Sequence, residues 1–303
     1  SAEMALLVKT GSDATSVAVR IARGYSGKDK ILRCGYHGWG DWCVEVEGGV
    51  PKAIRELTLE FPYGDLDALE KMLKENKDDV AAIIITPVGH PTAQPVVPPP
   101  PGYLEGVRSL ADQYNCILVF DEIRTGFRVA LGGAQARYGV TPDMTTIGKA
   151  MANGYAISAC VGKKEIMQVA EKEVFISSTF FPNSLEMVAA MKCIDILERE
   201  NVPDVIWERG EKFLSRLRTI TAESGVPATV SGIPSMPFLT FDKADSHYKE
   251  RRSDFYTETI RRGLFIQPYH HWYISYRHTK EDLENALQTI GEALEAVAKK
   301  YPA

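Results

Sequence analysis

The sequence predicts an α/β protein, with a mostly parallel central sheet flanked by helices and a smaller α+β domain at its C-terminal end. Three observations predict it. Short apolar runs rich in β-branched residues alternate with helix-like segments through the first two-thirds of the chain. The run through Phe120 ends in acids, at the strand end where doubly wound sheets bind their ligands. After about residue 202 the alternation gives way to helix, two strands and two further helices. Accordingly, residues 1–202 are expected to form the larger domain and 203–303 the smaller one.

The elements follow in order. Asp13 to Arg23 carries Val17 and Ile21 on one helical face, with Ser12 or Asp13 as its cap. Ala82–Ile85, Cys116–Phe120 and Ile157–Val161 are continuous apolar runs that fit buried parallel strands, and Met144–Ile147 is a weaker one. Leu104 to Tyr114 has helical spacing between two of them. Pro95–Pro101, with four consecutive prolines from Pro98, must be extended or turned and is expected to connect elements inside the larger domain. A helix over Leu185–Leu197 leads out of the sheet. The smaller domain reads as helix Val205–Ser224, strands Thr229–Ser231 and Pro237–Phe241, then helices Tyr248–Arg262 and Glu281–Lys299.

Composition narrows the function classes. A chain of 303 residues with 45% hydrophobic and 25% charged residues can bury a sizeable core and is not disordered. A net charge of -5 argues against nucleic acid or an anionic membrane as the main partner. The longest nearly apolar run, Val80–Ile85, is far short of the roughly 20 residues that span a bilayer. No signal-peptide pattern opens the chain. The five cysteines are scattered, with no CxxC pair or tight Cys/His cluster, so no metal is expected and a reducing cytoplasm is the plain reading. His270 and His271, read as strand neighbours, would point in opposite directions and serve packing or a substrate rim. The chain starts at Ser1 and enters an apolar stretch directly, so an N-terminal segment is expected to be missing.

Three pieces carry chemistry. Leu118-Val119-Phe120-Asp121-Glu122 is a buried strand ending in two acids, and Asp121 would sit at the ligand-binding edge. The plain alternative is an acid that caps a loop or pairs with Arg124 or Arg128. Met144 to Ala150 is a second strand ending in Gly148-Lys149, and a lysine in a cleft there can form a Schiff base if burial lowers its pKa. An ordinary surface lysine is the alternative. Thr10-Gly11-Ser12-Asp13 opens a helix whose free N–H groups suit a phosphate, or is simply a cap. Together the three match one ligand, pyridoxal 5'-phosphate, which has a phosphate, an aldehyde and a basic ring nitrogen.

Gly11-Ser12-Asp13-Ala14-Thr15, Tyr36-His37-Gly38, Asp121-Glu122 with Thr125-Gly126-Phe127-Arg128, and Gly148-Lys149 resemble the ordered signatures of class III, fold type I, pyridoxal-phosphate aminotransferases. Phe127 to Met167, with Gly132-Gly133-Ala134-Gln135 and Met151-Ala152-Asn153-Gly154, is most similar to the glutamate-1-semialdehyde aminomutase-like branch. The resemblance implies that Lys149 carries the cofactor as a Schiff base and that Asp121 keeps its ring nitrogen protonated. It implies that Gly11 and Ser12 bind the phosphate, that Tyr36 stacks on the ring beside His37, and that Thr179 serves the phosphate of a neighbouring subunit. A homodimer with shared active sites follows.

The resemblance has departures too. Relatives are longer at the N-terminus, and the stretch from Asp41 to Pro51 looks shorter than theirs. Thr86 stands where many carry a glutamate, which unsettles any inherited substrate. The implied activity is transfer of an amino group between a non-alpha amine (a β-amino acid, its CoA thioester or an amino sugar) and a keto acid. An intramolecular aminomutase using the same residues is the alternative, and a non-catalytic scaffold of the same fold a more distant one.

Overall fold

A computed structural model describes residues 1–46, 48–89, 95–181 and 183–302, which fall into two units: 1–89 with 99–201, and 95–98 with 202–302. The first unit contains β1 (Met4–Val8), α1 (Gly11–Ser26), β2 (Lys30–Cys34), α2 (Lys52–Arg55), β3 (Thr58–Glu60), α3 (Leu66–Glu75) and β4 (Val80–Ile85). It continues with α4 (Tyr103–Gln113), β5 (Ile117–Asp121), α5 (Gly133–Tyr138), β6 (Met144–Ile147), β7 (Ser158–Gly162), α6 (Lys164–Met167), α7 (Val169–Lys172) and α8 (Ser184–Arg199).

Its seven strands form one sheet in the order β1-β7-β6-β5-β4-β2-β3. The neighbours from β6 through β3 pair in parallel, whereas β7 runs against both β6 and β1. Every residue of β4 and β5 is buried, which is why these strands read as unbroken apolar runs. Alternate residues serve opposite faces. Ile31, Ala82, Ile84 and Val119 pack with Ala14, Val17, Ala18 and Ile21 of α1. Leu32, Ile83, Ile85, Leu118 and Phe120 pack with Leu69 and Leu73 of α3 and with Leu104 and Val107 of α4. Because β2, β4, β5 and β6 are parallel, their C-terminal ends open onto a single edge. The loops that begin at Gly35, Thr86, Glu122 and Gly148 therefore meet there.

The second unit holds α9 (Val202–Glu223), the antiparallel hairpin β8 (Ala228–Ile233) and β9 (Met236–Phe241), α10 (Tyr248–Arg261) and α11 (Lys280–Lys300). Thr279 caps α11 with a capping box to Asp282. Among the described residues no helix is long and apolar enough to cross a membrane.

The structure departs from the sequence reading in several places. β7 is antiparallel rather than parallel, and β1, β2 and β3 join the sheet although no strand is expected there. α1 is capped by Thr10, not by Ser12 or Asp13; Asp13 is instead the N3 partner of a capping box. The segment at Pro95 is not a connection inside the first unit. Val96 N–H donates to Ser231 Oγ at 3.1 Å and Val96 C=O accepts from Gly232 N–H at 2.8 Å, so it pairs with β8. Val96 has the N–H that Pro98–Pro101 lack. His270 and His271 do not alternate on a strand, for their rings stack with centroids 4.1 Å apart. They line a groove of about 810 Å³ in the second unit, with Trp272, Phe213 and Ile290.

One buried carboxylate pins the opposite end of the sheet. Asp143 accepts from Leu118 N–H (2.8 Å), Arg108 (2.9 Å) and Lys163 (2.6 Å). Burial pushes its pKa up, but Lys163, the Leu118 amide and Arg108 more than reverse this and hold it below the ordinary aspartate range. Asp143→Asn is expected to lower the unfolding free energy by about 1–3 kcal/mol at neutral pH, read by urea denaturation. A depressed folded-state pKa stabilises fully only above the unfolded value, near about 4. The gap between wild type and variant should therefore close as pH falls through the lowered pKa of the folded state.

Candidate active site

The edge is assembled from four loops and one helix end. After β2 the chain turns through Gly35 (φ +103°), where a Cβ would stand 2.4 Å from Thr86 Oγ1. Gly38 (φ +118°) lies as close to α1, since a Cβ there would meet Ser12 Oγ at 2.4 Å. Only glycine combines such a φ with such an approach. Between them stand Tyr36 and His37. Thr15 Oγ1 donates to His37 C=O at 2.7 Å, and Trp42 lies nearly parallel to the His37 ring while donating to Ser16 Oγ at 3.0 Å. The His37 backbone is thereby tied to α1, and its side chain is fully buried.

Asp121 ends β5 at this edge. Its Oδ1 accepts from Ile123 N–H (3.1 Å) and from Thr146 Oγ1 (3.1 Å), and its Oδ2 lies 2.8 Å from His37 Nδ1. The carboxylate is buried yet held by three groups from three different segments. His37 Nε2 and Thr86 Oγ1 are also buried, and neither has a hydrogen-bond partner among the described residues.

Glu122, the next residue, faces the other way. Its carboxylate accepts from Thr125 Oγ1 (2.9 Å), from the amides of Ala134 and Gln135, and from the Gln135 side chain. Gly133 (φ +71°) leaves it room, since a Cβ there would meet Glu122 Oε2 at 2.3 Å. Burial raises its pKa against those hydrogen bonds. The loop-capping role open to a strand-end acid thus falls to Glu122, and Asp121 is left for the edge.

Lys149 follows β6 and opens the short 3₁₀ turn Lys149–Met151. It adopts φ +44°, a left-handed conformation that costs a non-glycine residue of order 1–3 kcal/mol and that clusters at functional sites. The residue is exposed, but enough protein surrounds its side chain for desolvation to lower its pKa. Arg124 and Arg128 add to that lowering, and Asp121 opposes it.

At the start of α1 the capping box occupies Thr10 N–H and Asp13 N–H. The amides of Gly11 and Ser12 have no acceptor within the helix. Tyr36 is 45% exposed. Partial burial first, then the negative groups around it, Asp121 among them, raise its pKa.

Gly11, Ser12, Tyr36, His37, Asp121 and Lys149 thus meet at one edge of the sheet. Thr179 does not, lying in an exposed turn outside the hydrogen bonds of the Asp121 cluster. Sequence reasoning gave no role to Thr15, Trp42 and Thr146, whose only signal is a hydroxyl or indole within or near a motif.

The aminotransferase class-III family model matches residues 1–294. The chain belongs to the class-III aminotransferases. It is 58% identical over 298 residues to 3-aminobutyryl-CoA aminotransferase of Cloacimonas acidaminovorans, covering 98% of this chain and 72% of that protein. It is 33% identical to glutamate-1-semialdehyde 2,1-aminomutase of Natranaerobius thermophilus, covering 99% of this chain and 75% of the relative. The FumI protein of Sphingopyxis sp. MTA144, solved in its pyridoxal-phosphate internal aldimine form, superposes with a TM-score of 0.92 at 27% identity. That match covers 99% of this chain and 72% of that one. The protein is a pyridoxal-phosphate-dependent aminotransferase of fold type I.

The residues present fit that cofactor. Free helix-end amides, a buried carboxylate and an amine of lowered pKa are the donor set for a phosphate, a ring nitrogen and an aldehyde. The two acids are separable by mutation. Glu122→Gln would turn an amide N–H₂ toward the donors it now receives, and should cost about 1–3 kcal/mol in urea denaturation. The folded variant should keep the visible absorption of bound cofactor.

Proposed function

We propose that this aminotransferase moves the 3-amino group of a β-aminoacyl-CoA thioester of the 3-aminobutyryl-CoA type to a keto acid, in a ping-pong cycle. The observation that carries this reading is the 58% identity to an enzyme of that name across nearly the whole chain.

Bound pyridoxal phosphate supplies the aldehyde that takes up an amine and the ring that accepts electrons from the carbon losing its proton. Gly11 and Ser12 would hold the phosphate with their amides, at the positive end of the α1 dipole. Tyr36 would lie against the ring. Asp121 would keep a proton on the ring nitrogen, and His37 with Thr146 keeps Asp121 in place. Lys149 would hold the cofactor through Nζ, and its amine, whose pKa burial lowers, would move a proton at the substrate carbon that bears nitrogen.

We also propose a two-fold homodimer in the cytoplasm, in which Thr179 of each subunit serves its partner's phosphate site. Near Thr179, Phe175 and Phe180 are 82% and 61% exposed, and α8 exposes Leu185, Val188 and Met191. Such an apolar surface fits an interface. The five cysteines are free, as a reducing compartment requires.

The test is a half-reaction. The holoenzyme is mixed with 3-aminobutyryl-CoA and no keto acid, and both visible absorption and 3-oxobutyryl-CoA are followed. Loss of the cofactor band with stoichiometric product is expected, and Lys149→Ala should slow it by about 10²–10⁴-fold. A band unchanged by the thioester would overturn the substrate. Conversion of glutamate 1-semialdehyde without any acceptor would favour the aminomutase reading, which the 33% identical relative supports.

A further inference from the structure

Within the first unit, Asp121 stands in a row of strand-end side chains on the α1 face of the sheet. Successive strand residues alternate between faces, and Ile84, Val119 and Met144 pack on the α1 side. Two residues further along each strand come Thr86, Asp121 and Thr146. Thr86 keeps the alternation, because its N–H still donates to Cys34 C=O at 3.1 Å. Ile85 pairs with Phe120 and Asp121 with Thr146, so the carboxylate lies between the two threonines.

The two threonines differ in what they do. Thr146 Oγ1 donates to Asp121 Oδ1 at 3.1 Å. Thr86 is only 2% exposed, and its buried Oγ1 has no partner among the described residues. Gly35 gives it room, since a Cβ there would stand 2.4 Å from that oxygen. A buried hydroxyl without a bond is unfavourable, and a valine of the same shape would remove the cost. The hydroxyl is therefore one that the protein alone does not use.

Topology says which side of a bound ring it faces. The α1 helix, whose first amides suit the phosphate, follows β1, and Lys149 follows β6. Both strands lie on the Thr146 side of Asp121, whereas Thr86 ends β4 on the other side. In pyridoxal phosphate the phosphate arm and the phenolic oxygen stand on opposite flanks of the line from ring nitrogen to aldehyde. With the nitrogen on Asp121, the phenolic oxygen is left on the Thr86 flank.

We infer that the Thr86 hydroxyl donates to the phenolic oxygen of pyridoxal phosphate, making Thr86 a further cofactor-binding residue of this chain. This assignment rests on the ring nitrogen lying at Asp121, as proposed above. A phenolic oxygen that carries negative charge is a strong acceptor, and a hydroxyl can supply the donor.

The test reads cofactor affinity and stability rather than turnover. The full chain freed of cofactor, as wild type, Thr86→Val, Thr86→Ser and Asp121→Ala, is titrated with pyridoxal phosphate and with 3-deoxypyridoxal phosphate. Each protein is also unfolded in urea. Thr86→Val should unfold at the same or a higher urea concentration than wild type, yet bind pyridoxal phosphate about tenfold more weakly. Thr86→Ser should stay near wild type. The 3-deoxy analogue, which lacks the phenolic oxygen, should bind wild type and Thr86→Val alike. Equal affinity of these two for pyridoxal phosphate would mean that the hydroxyl bonds water alone, and would overturn the assignment while leaving the aminotransferase reading intact. A loss of the same size with the analogue would overturn the phenolic oxygen as its partner. If Asp121→Ala also binds the cofactor as wild type does, the placement of the ring fails and the role of Thr86 falls with it.

Discussion

A carboxylate at the end of a buried strand is unfavourable unless its oxygens are occupied, and Asp121 is occupied from three directions. The Ile123 amide comes from its own loop, the Thr146 hydroxyl from β6, and His37 from the loop after β2. Each donor exists because the parallel sheet brings several strand ends to one edge. Losing one of them would leave a buried charge short of a partner, at a cost of about 1–3 kcal/mol. The placement of the remaining edge residues follows from this one. His37 is held by Thr15 of α1 and by Trp42, so the helix end that offers its amides is tied to the strand end that offers the carboxylate.

The edge is also where the backbone is tightest. Gly35 and Gly38 press against Thr86 and Ser12 in conformations that a side chain would oppose, and Lys149 adopts a left-handed φ without being glycine. Strain concentrated where a ligand must be approached closely is what a preorganised site requires. Glu122 shows the complementary use of a buried acid. Its partners lie within one loop and the start of α5, so it fixes the loop and leaves the edge to Asp121.

The sequence made the centre of the fold legible and its margins much less so. β4, and β5 up to Asp121, are unbroken apolar runs because both faces of the sheet are covered, and such a run can be read without a structure. β2 starts and continues with Lys30 and Arg33, and β3 has only three residues, Thr58–Glu60, so neither stands out. The direction of β7 was hidden because direction belongs to the connection. A 3₁₀ turn and a short loop, with no crossover helix between β6 and β7, allow an antiparallel return.

Within the site, Asp121, Lys149 and the Gly11-Ser12 turn are strand-end and helix-end features, and motif order finds them. That His37 stands behind Asp121 is a matter of which loop reaches which strand, and spacing along the chain does not encode it. Thr10 was missed as the cap because Ser12 and Asp13, equally good capping residues, follow it at once.

The proposed role of Asp121, keeping the cofactor's ring nitrogen protonated, is tested most directly by the ¹⁵N chemical shift of ring-labelled pyridoxal phosphate bound to wild type, His37→Phe and Asp121→Asn. A protonated nitrogen through neutral pH in wild type is predicted, with its protonation lost in Asp121→Asn and its titration moved into the neutral range in His37→Phe. A protonated shift that is the same in all three proteins would contradict it.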